Sequence, residues 1–337
     1  MKSVLVTHAD EPIGRRIVKT LYHDDEVTRI LAVGDGPPPR AFDRFLGGPD
    51  PRVLYARVDL ARHRPVSDLF HSGRFRDAEV DTVIYVPRHG AAAETGAPIA
   101  AGLPERTAEA RMVLQHGLET ATVRHLVALG SAFVYRIPPG NANRLDESSE
   151  LDLDPEVPAE IRSWIDCDMI FHGEVHNDRL RVVLLRVPTV VAAGGYVYLH
   201  PFLAGRPGPR IRALGYDPIC ALVSDKDVAC AVRAAIHSRR PGIYNIAGME
   251  AVPLSVLARW TRRAALPLPG ALLSWLSASA RLVGASAARV GSDGPHLRYG
   301  FTLDTRRAER DLDFRPATRI GLARAGDGAL RLETASV

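Results

Sequence analysis

The opening of the chain constrains its fold more than any other stretch. Val4-Leu5-Val6-Thr7 is an apolar run of strand length. His8 to Pro12 break it, and residues 13–22 then carry apolar side chains at 13, 17, 18 and 21, which is one helix face. A helix that follows a strand so closely carries the chain back across the sheet, so the next strand pairs parallel. The rest of the N-terminal half repeats the unit. Strands are expected at 29–33, ending on Gly34-Asp35 before the breaker Gly36-Pro37-Pro38-Pro39, at 53–58, ending on Asp59, and at 82–86. A helix at 105–120 leads to a strand at 126–129 with Gly130-Ser131 behind it, and a helix at 161–175 leads to a strand at 181–186. These strands are nearly continuous in Val, Leu and Ile, as a sheet covered on both faces requires. The expected architecture is α/β, a doubly wound parallel sheet with a smaller C-terminal lobe.

From Pro188 the pattern loosens into Gly- and Pro-rich segments. A helix is expected at 227–237 with Asp227 as its N-cap, and a strand at 243–246. Residues 254–263 are amphipathic, and residues 266–290 are rich in Leu, Ala and Ser with Arg281 and Arg289. That stretch reads as packed helices of the lobe, with a partner-facing or membrane-surface scaffold as the alternative. The expected division is 1–187 with help from 219–248, a lobe of 188–218 and 249–320, and a loosely ordered tail over 321–337.

At 337 residues, 46% hydrophobic and 24% charged, the chain has the composition of a globular domain. Its first strand starts at once, without the apolar stretch of a leader, and no run is long enough to span a bilayer. Three cysteines, Cys167, Cys220 and Cys230, lack CxxC or Cys/His spacing, which argues against disulfides and structural metal and fits a cytoplasmic setting. The formal charge is +4, yet lysine occurs only at 2, 19 and 226, leaving 40 of the 43 basic residues as scattered arginines. No nucleic-acid motif accompanies them, so nucleic acid is not an expected partner.

Several landmarks recur in a fixed order. They are Thr7 to Gly14, Asp35, Asp59-Leu60, Gly130 to Tyr135, Leu185 to Pro188, Val223 to Ala229, Ile243 to Gly248, Leu303 to Thr305 and Phe314 to Pro316. In order and spacing the chain resembles the extended short-chain dehydrogenase/reductases, the NAD-dependent epimerase/dehydratase type, over residues 1 to 318. The resemblance implies a Rossmann-type domain and a homodimer through the helices after strands four and five. It also implies a nicotinamide dinucleotide across the carboxyl ends of the strands, its pyrophosphate on the first helix. The matching cofactor positions are Thr7, His8, Glu11, Ile13, Gly14, Asp35, Asp59, Leu60 and Val86. Asp35 would favour NAD over NADP, because a carboxylate repels a 2′-phosphate; as a residue beside Gly36, it is equally a turn former.

Two parts of the pattern fail. In the turn, only Gly14 of three glycines survives, and His8 and Glu11 bring side chains, one of them acidic, to where phosphates would lie. Pro12 removes one backbone N–H from the same place. The family's Tyr-x-x-x-Lys acid/base pair is absent, since the residues four before Lys19 and Lys226 are Arg15 and Leu222. Counting back from Arg186 by the family's spacing puts Trp164 and Asp168 at those positions. Ser131 matches the family's serine. Tyr85-Val86-Pro87-Arg88 replaces a small-residue run with bulk and charge that would narrow the nicotinamide pocket.

Trp164, Asp168, His172 and His176 recur every fourth residue and so are expected along one helix face, where an Asp/His pair can do acid/base work or bind a metal; the alternative is a solvated or cap-like helix end, since Asn177-Asp178 follow His176. The leading expectation is a protein of this fold whose chemistry has decayed to a ligand-sensing or protein-interaction role. The alternative is an active NAD-dependent oxidoreductase or epimerase with displaced acid/base groups drawn from Ser131, Tyr135, Asp168 and His172.

Overall fold

The computed structural model describes residues 1–46, 52–88, 103–155, 157–192, 195–198, 210–260, 265–269, 272, 298–324 and 330–336. Strand β1 (Lys2–Val6) enters helix α1 (Pro12–Tyr22), and β2 (Val27–Gly34) and β3 (Val53–Arg57) follow. Helices α2 (His63–His71) and α3 (Gly73–Asp77) lead to β4 (Thr82–Tyr85), and α4 (Leu103–Glu119) leads to β5 (His125–Ser131). Helix α5 (Ala159–His172) then leads to β6 (Arg181–Val187). A second sheet uses β7 (Thr189–Ala192), β8 (Gly195–Tyr198) and β9 (Ile219–Ser224). Helix α6 (Asp225–His237) returns the chain to β10 (Gly242–Asn245) at the far edge of the first sheet.

The main sheet has seven strands in the order β10-β6-β5-β4-β1-β2-β3, and every pairing is parallel. The winding reverses between β1 and β4, the switch point at which such sheets open a crevice at their carboxyl ends. Alternation along each strand feeds two cores. Val4 and Val6 point to the face covered by α1 and α6, with Ile13, Ile17, Val228 and Val232. Leu5 points to the other, with Val66 of α2, Val113 of α4 and Phe171 of α5. Both faces are dry, which is why the strands read as unbroken aliphatic runs.

Three local expectations are corrected. Asp227 is not the cap of α6: Ser224 is, its hydroxyl accepting from the Asp227 N–H and donating to the Asp227 carboxylate. Asp227 also accepts from Ala317 N and Thr318 Oγ1, tying the C-terminal segment to α6. The expected loose tail contains an antiparallel hairpin, with 318–324 paired to 330–336. Helix α5 stops at His172 with Gly173 behind it, so His176 is not on it. Of the 219–248 stretch, β10 joins the main sheet and α6 packs on α1, whereas β9 pairs in a four-stranded sheet with β7, β8 and residues 251–253. The Leu/Ala/Ser-rich stretch at 266–290 lies outside the described residues except for 266–269 and 272. Among the described residues no helix is long and apolar enough to cross a membrane.

Candidate functional site

The crevice begins at the turn after β1. The Thr7 hydroxyl donates to the Val86 carbonyl at 2.9 Å and accepts from Val86 N at 2.8 Å, locking the ends of β1 and β4 together. His8 then takes φ 44°, the left-handed conformation that a glycine would adopt without strain. The turn geometry survives with a buried imidazole attached. Gly14 is required, because a Cβ there would lie 2.1 Å from the His8 carbonyl oxygen. Glu11 is the N-cap residue of α1 and Pro12 opens the helix. The N–H groups of Ala9 and Glu11 donate to the carbonyls of Val33 and His8, at 2.7 and 3.0 Å.

Side chains bridge the crevice. Arg88, just past β4, forms an ion pair with Asp35, just past β2, and so passes over the end of the intervening β1. Its Nε also faces the buried carboxylate of Glu109 on α4 at 3.4 Å, and Glu109 meets His8 Nε2 at 3.0 Å. Asp10 crosses from the turn to accept from Gly36 N at 2.9 Å, lying against Gly34. Tyr55 donates to the Gly36 carbonyl at 2.9 Å, and burial together with the Asp10 charge pushes its hydroxyl up to about 12. On the β3 side an open cleft of about 970 Å³ remains, with Asp35, Val58, Asp59, Arg57, Arg74 and Arg88 among its walls. Asp59 caps its own turn through Ala61 N and pairs with Arg62 at 3.1 Å, while Leu60 is buried.

The positions counted for the acid/base pair are built into the interior. Trp164 is buried beneath Arg106 of α4, whose guanidinium lies 4.0 Å from the ring centroid. Asp168, fully buried, grips Arg186 of β6 with two bonds, Oδ2 to Nε at 2.8 Å and Oδ1 to Nη2 at 2.7 Å. Arg186 Nη1 donates to Tyr135 Oη at 3.0 Å, and Tyr135 donates to Asn245 Oδ1 at 2.7 Å. Asn245 is held in turn by the Leu145 carbonyl and by Glu147, whose carboxylate burial pushes up. Burial raises the Tyr135 hydroxyl to about 12, against the lowering influence of Arg186.

Of the other candidates, Ser131 is buried and its hydroxyl accepts from Phe133 N at 3.2 Å, capping a short helical turn. His172 is exposed, its Nδ1 3.9 Å from Asp168 Oδ1, beyond hydrogen-bond range. His176 is exposed beyond the helix end, so the expected four-residue stripe does not form. The structure thus gathers His8, Asp35 and Val86 around the crevice, sets Asp168 and Tyr135 in one buried network, and leaves His172 outside it. Asp10, Glu109, Arg106 and Asn245 were not anticipated. Arg186 carried a signal: an acid at a position expected to be lysine needs a cation in reach, and the nearest strand supplies one.

These residues do not fit a dinucleotide in the family's ordinary pose. The helix start lacks the Pro12 N–H, Glu11 stands where phosphate charge would lie, and Asp35 is already engaged by Arg88. Among the described residues no group of three or more His, Cys, Asp or Glu side chains is arranged to hold a metal ion.

No protein-family model matches the chain. No curated protein matches its sequence. Among solved structures it is similar to dTDP-glucose 4,6-dehydratase from Bacillus anthracis, in complex with NAD, with 13% identity and a TM-score of 0.63 over 94% of this chain and 92% of that one. It is similar to UDP-glucuronic acid 4-epimerase from Bacillus cereus, in complex with UDP-glucuronic acid and NAD, with 14% identity and a TM-score of 0.63 over 94% of each chain. Pal from Bacillus thuringiensis gives 15% identity and a TM-score of 0.65, again over 94% of each. The chain therefore has the fold of the extended short-chain dehydrogenase/reductases, the NAD-dependent epimerase/dehydratase type.

Proposed function

We propose that this protein keeps the epimerase/dehydratase fold without its hydride chemistry and serves as a ligand-sensing or protein-interaction module. One observation carries the reading: the positions counted for the acid/base pair hold Trp164 beneath a guanidinium and Asp168 locked to Arg186, both buried. A general acid or base must reach a bound substrate with a proton to give or take. Asp168 is enclosed by α5 and β6, and Tyr135 has its hydroxyl committed to Asn245 and a raised pKa. The bridge from Arg88 to Asp35 supports the same reading from the cofactor side.

The test is calorimetric titration with NAD, NADH, NADP and NADPH. The expected result is no binding at low micromolar strength or tighter by any of the four. Tight binding of NAD or NADH would overturn the proposal in favour of an active oxidoreductase or epimerase with displaced acid/base groups. A homodimer and a cytoplasmic setting belong to the same proposal, the first checked by sedimentation and the second by fractionation of the native cell.

A further inference from the structure

The contact between α2 and α4 is built around an imidazole with nothing to bond to. His116 of α4 is 4% exposed, and neither of its ring nitrogens has a hydrogen-bond partner among the described residues. Phe70 of α2 stacks on this ring with centroids 5.3 Å apart, and Phe75 of α3 packs on Phe70 at 5.0 Å. Two exposed histidines, the first and last residues of α2, flank it: His63 at 5.6 Å and His71, edge-on, at 6.2 Å. His71 gives its Nδ1 proton to the Ser67 carbonyl at 2.8 Å, since a carbonyl can only accept. Glu119, one turn along α4, places Oε2 3.4 Å from His116 Nδ1 while its Oε1 accepts from Gln115. Of the other charges on these elements, Arg64 and Asp68 of α2 face each other at 4.0 Å, and Arg179 gives Nη2 to the Gly117 and Thr120 carbonyls. Burial holds the His116 pKa below its ordinary 6.5; Glu119 pulls it up, and His63 and His71 push it further down.

We propose that His116 makes α2 an acid-releasable element, docked on α4 while the ring is neutral and let go when the ring is charged. A charged imidazole enclosed by Phe70 and two further imidazoles lacks the water it needs, and it gains that water by parting α2 from α4. Glu119, 55% exposed, supplies a counter-ion at the solvent edge and draws the charged ring outward. A helix of nine residues does not hold its shape alone in water, so loss of this contact unfolds α2 rather than shifting it. The effect reaches the open cleft, because α2 supplies Pro65, Asp68 and Leu69 to its wall. The docked state is proton-poor at His116, whereas the released state takes the proton at the ordinary 6.5. The docking contribution is therefore complete above pH 6.5 and declines as pH falls towards the depressed value. A ring that stays uncharged while docked makes release about tenfold more frequent at pH 5.5 than at pH 7.5.

The experiment is hydrogen exchange of the full chain, read by mass spectrometry at pH 7.5 and 5.5 and corrected for the intrinsic exchange rate. It compares the unaltered protein with His116→Phe, which keeps a ring on Phe70 and cannot titrate. The proposal expects the amides of 63–71 to lose protection about tenfold at the lower pH in the unaltered protein and to keep it in His116→Phe. Equal protection of 63–71 at both pH values overturns the proposal. So does a loss that persists in His116→Phe, or one spread evenly over β5 and α6, which marks global unfolding. Should His116→Phe fail to fold, the ring protons of His116 in the unaltered protein decide by NMR. A midpoint below 6.5 that moves with the amide shifts of α2 supports the proposal, and a midpoint at or above 6.5 overturns it.

Discussion

Replacing Asp168 by Asn tests whether this carboxylate is structural. The side chains of Asp168 and Arg186 are 0% and 1% exposed, and two bonds of 2.8 and 2.7 Å join them. Hydrogen bonds to charged groups contribute about 1.5 to 3 kcal/mol each, and stripping one partner from a buried pair costs about 3 to 5 kcal/mol. Asn keeps the shape and one acceptor, so the lower end applies, about 3 kcal/mol. Arg186 cannot escape by losing its proton, because a guanidinium stays protonated in proteins even where burial disfavours its charge. Nor can Tyr135 substitute for the lost anion, its hydroxyl proton being given to Asn245. The assay is urea unfolding, read as a shift of the midpoint at unchanged slope, in Asp168→Asn, Arg186→Met and the double variant. The double variant should recover most of the loss, because removing both charges removes the uncompensated one. A loss below about 1 kcal/mol, or no coupling between the two sites, would refute the reasoning and return Asp168 to the candidates for proton transfer.

His8 sits at φ 44°, so His8→Gly should be more stable than His8→Ala by about 1 kcal/mol in the same unfolding assay, and equal stabilities would show that the turn is not left-handed in solution. His125 is buried with its pKa pushed from 6.5 to about 3, chiefly by desolvation. The folded state keeps this ring neutral while the unfolded chain protonates it below pH 6.5, so its contribution is complete above that value and is lost as pH falls towards 3. Between pH 7 and 5 that loss is about 2 kcal/mol, and the stability profile of His125→Leu should be shallower by that amount; identical slopes would contradict it.

The architecture was open to sequence reasoning because it rests on periodicity, which is local. Alternating burial of Val4, Leu5 and Val6, and the helix face at 13, 17, 18 and 21, follow from residue types a few positions apart. Capping was harder. Ser224 and Asp227 are both good cap formers, and only their reciprocal hydrogen bonds decide that the cap lies three residues before Asp227. The antiparallel hairpin near the C-terminus was missed because its strands, Thr318–Arg324 and Leu330–Ser336, carry charges and glycine that weaken the strand pattern. The site was half visible. Loss of the glycines and of the Tyr/Lys pair is a matter of residue identity. What fills the vacated space is not, since Asp10 reaches Gly36, Glu109 reaches His8, and Asp168 reaches Arg186 across 26, 101 and 18 positions of chain.

Those long-range contacts change the energetics of binding as well as the shape of the crevice. A dinucleotide entering across β1 must part Arg88 from Asp35, which are roughly one quarter exposed, and leave the fully buried Glu109 with His8 as its remaining partner. Uncovering one member of such a partly buried network costs on the order of 2 kcal/mol, which is a loss of about thirtyfold in affinity before the Glu11 charge is counted.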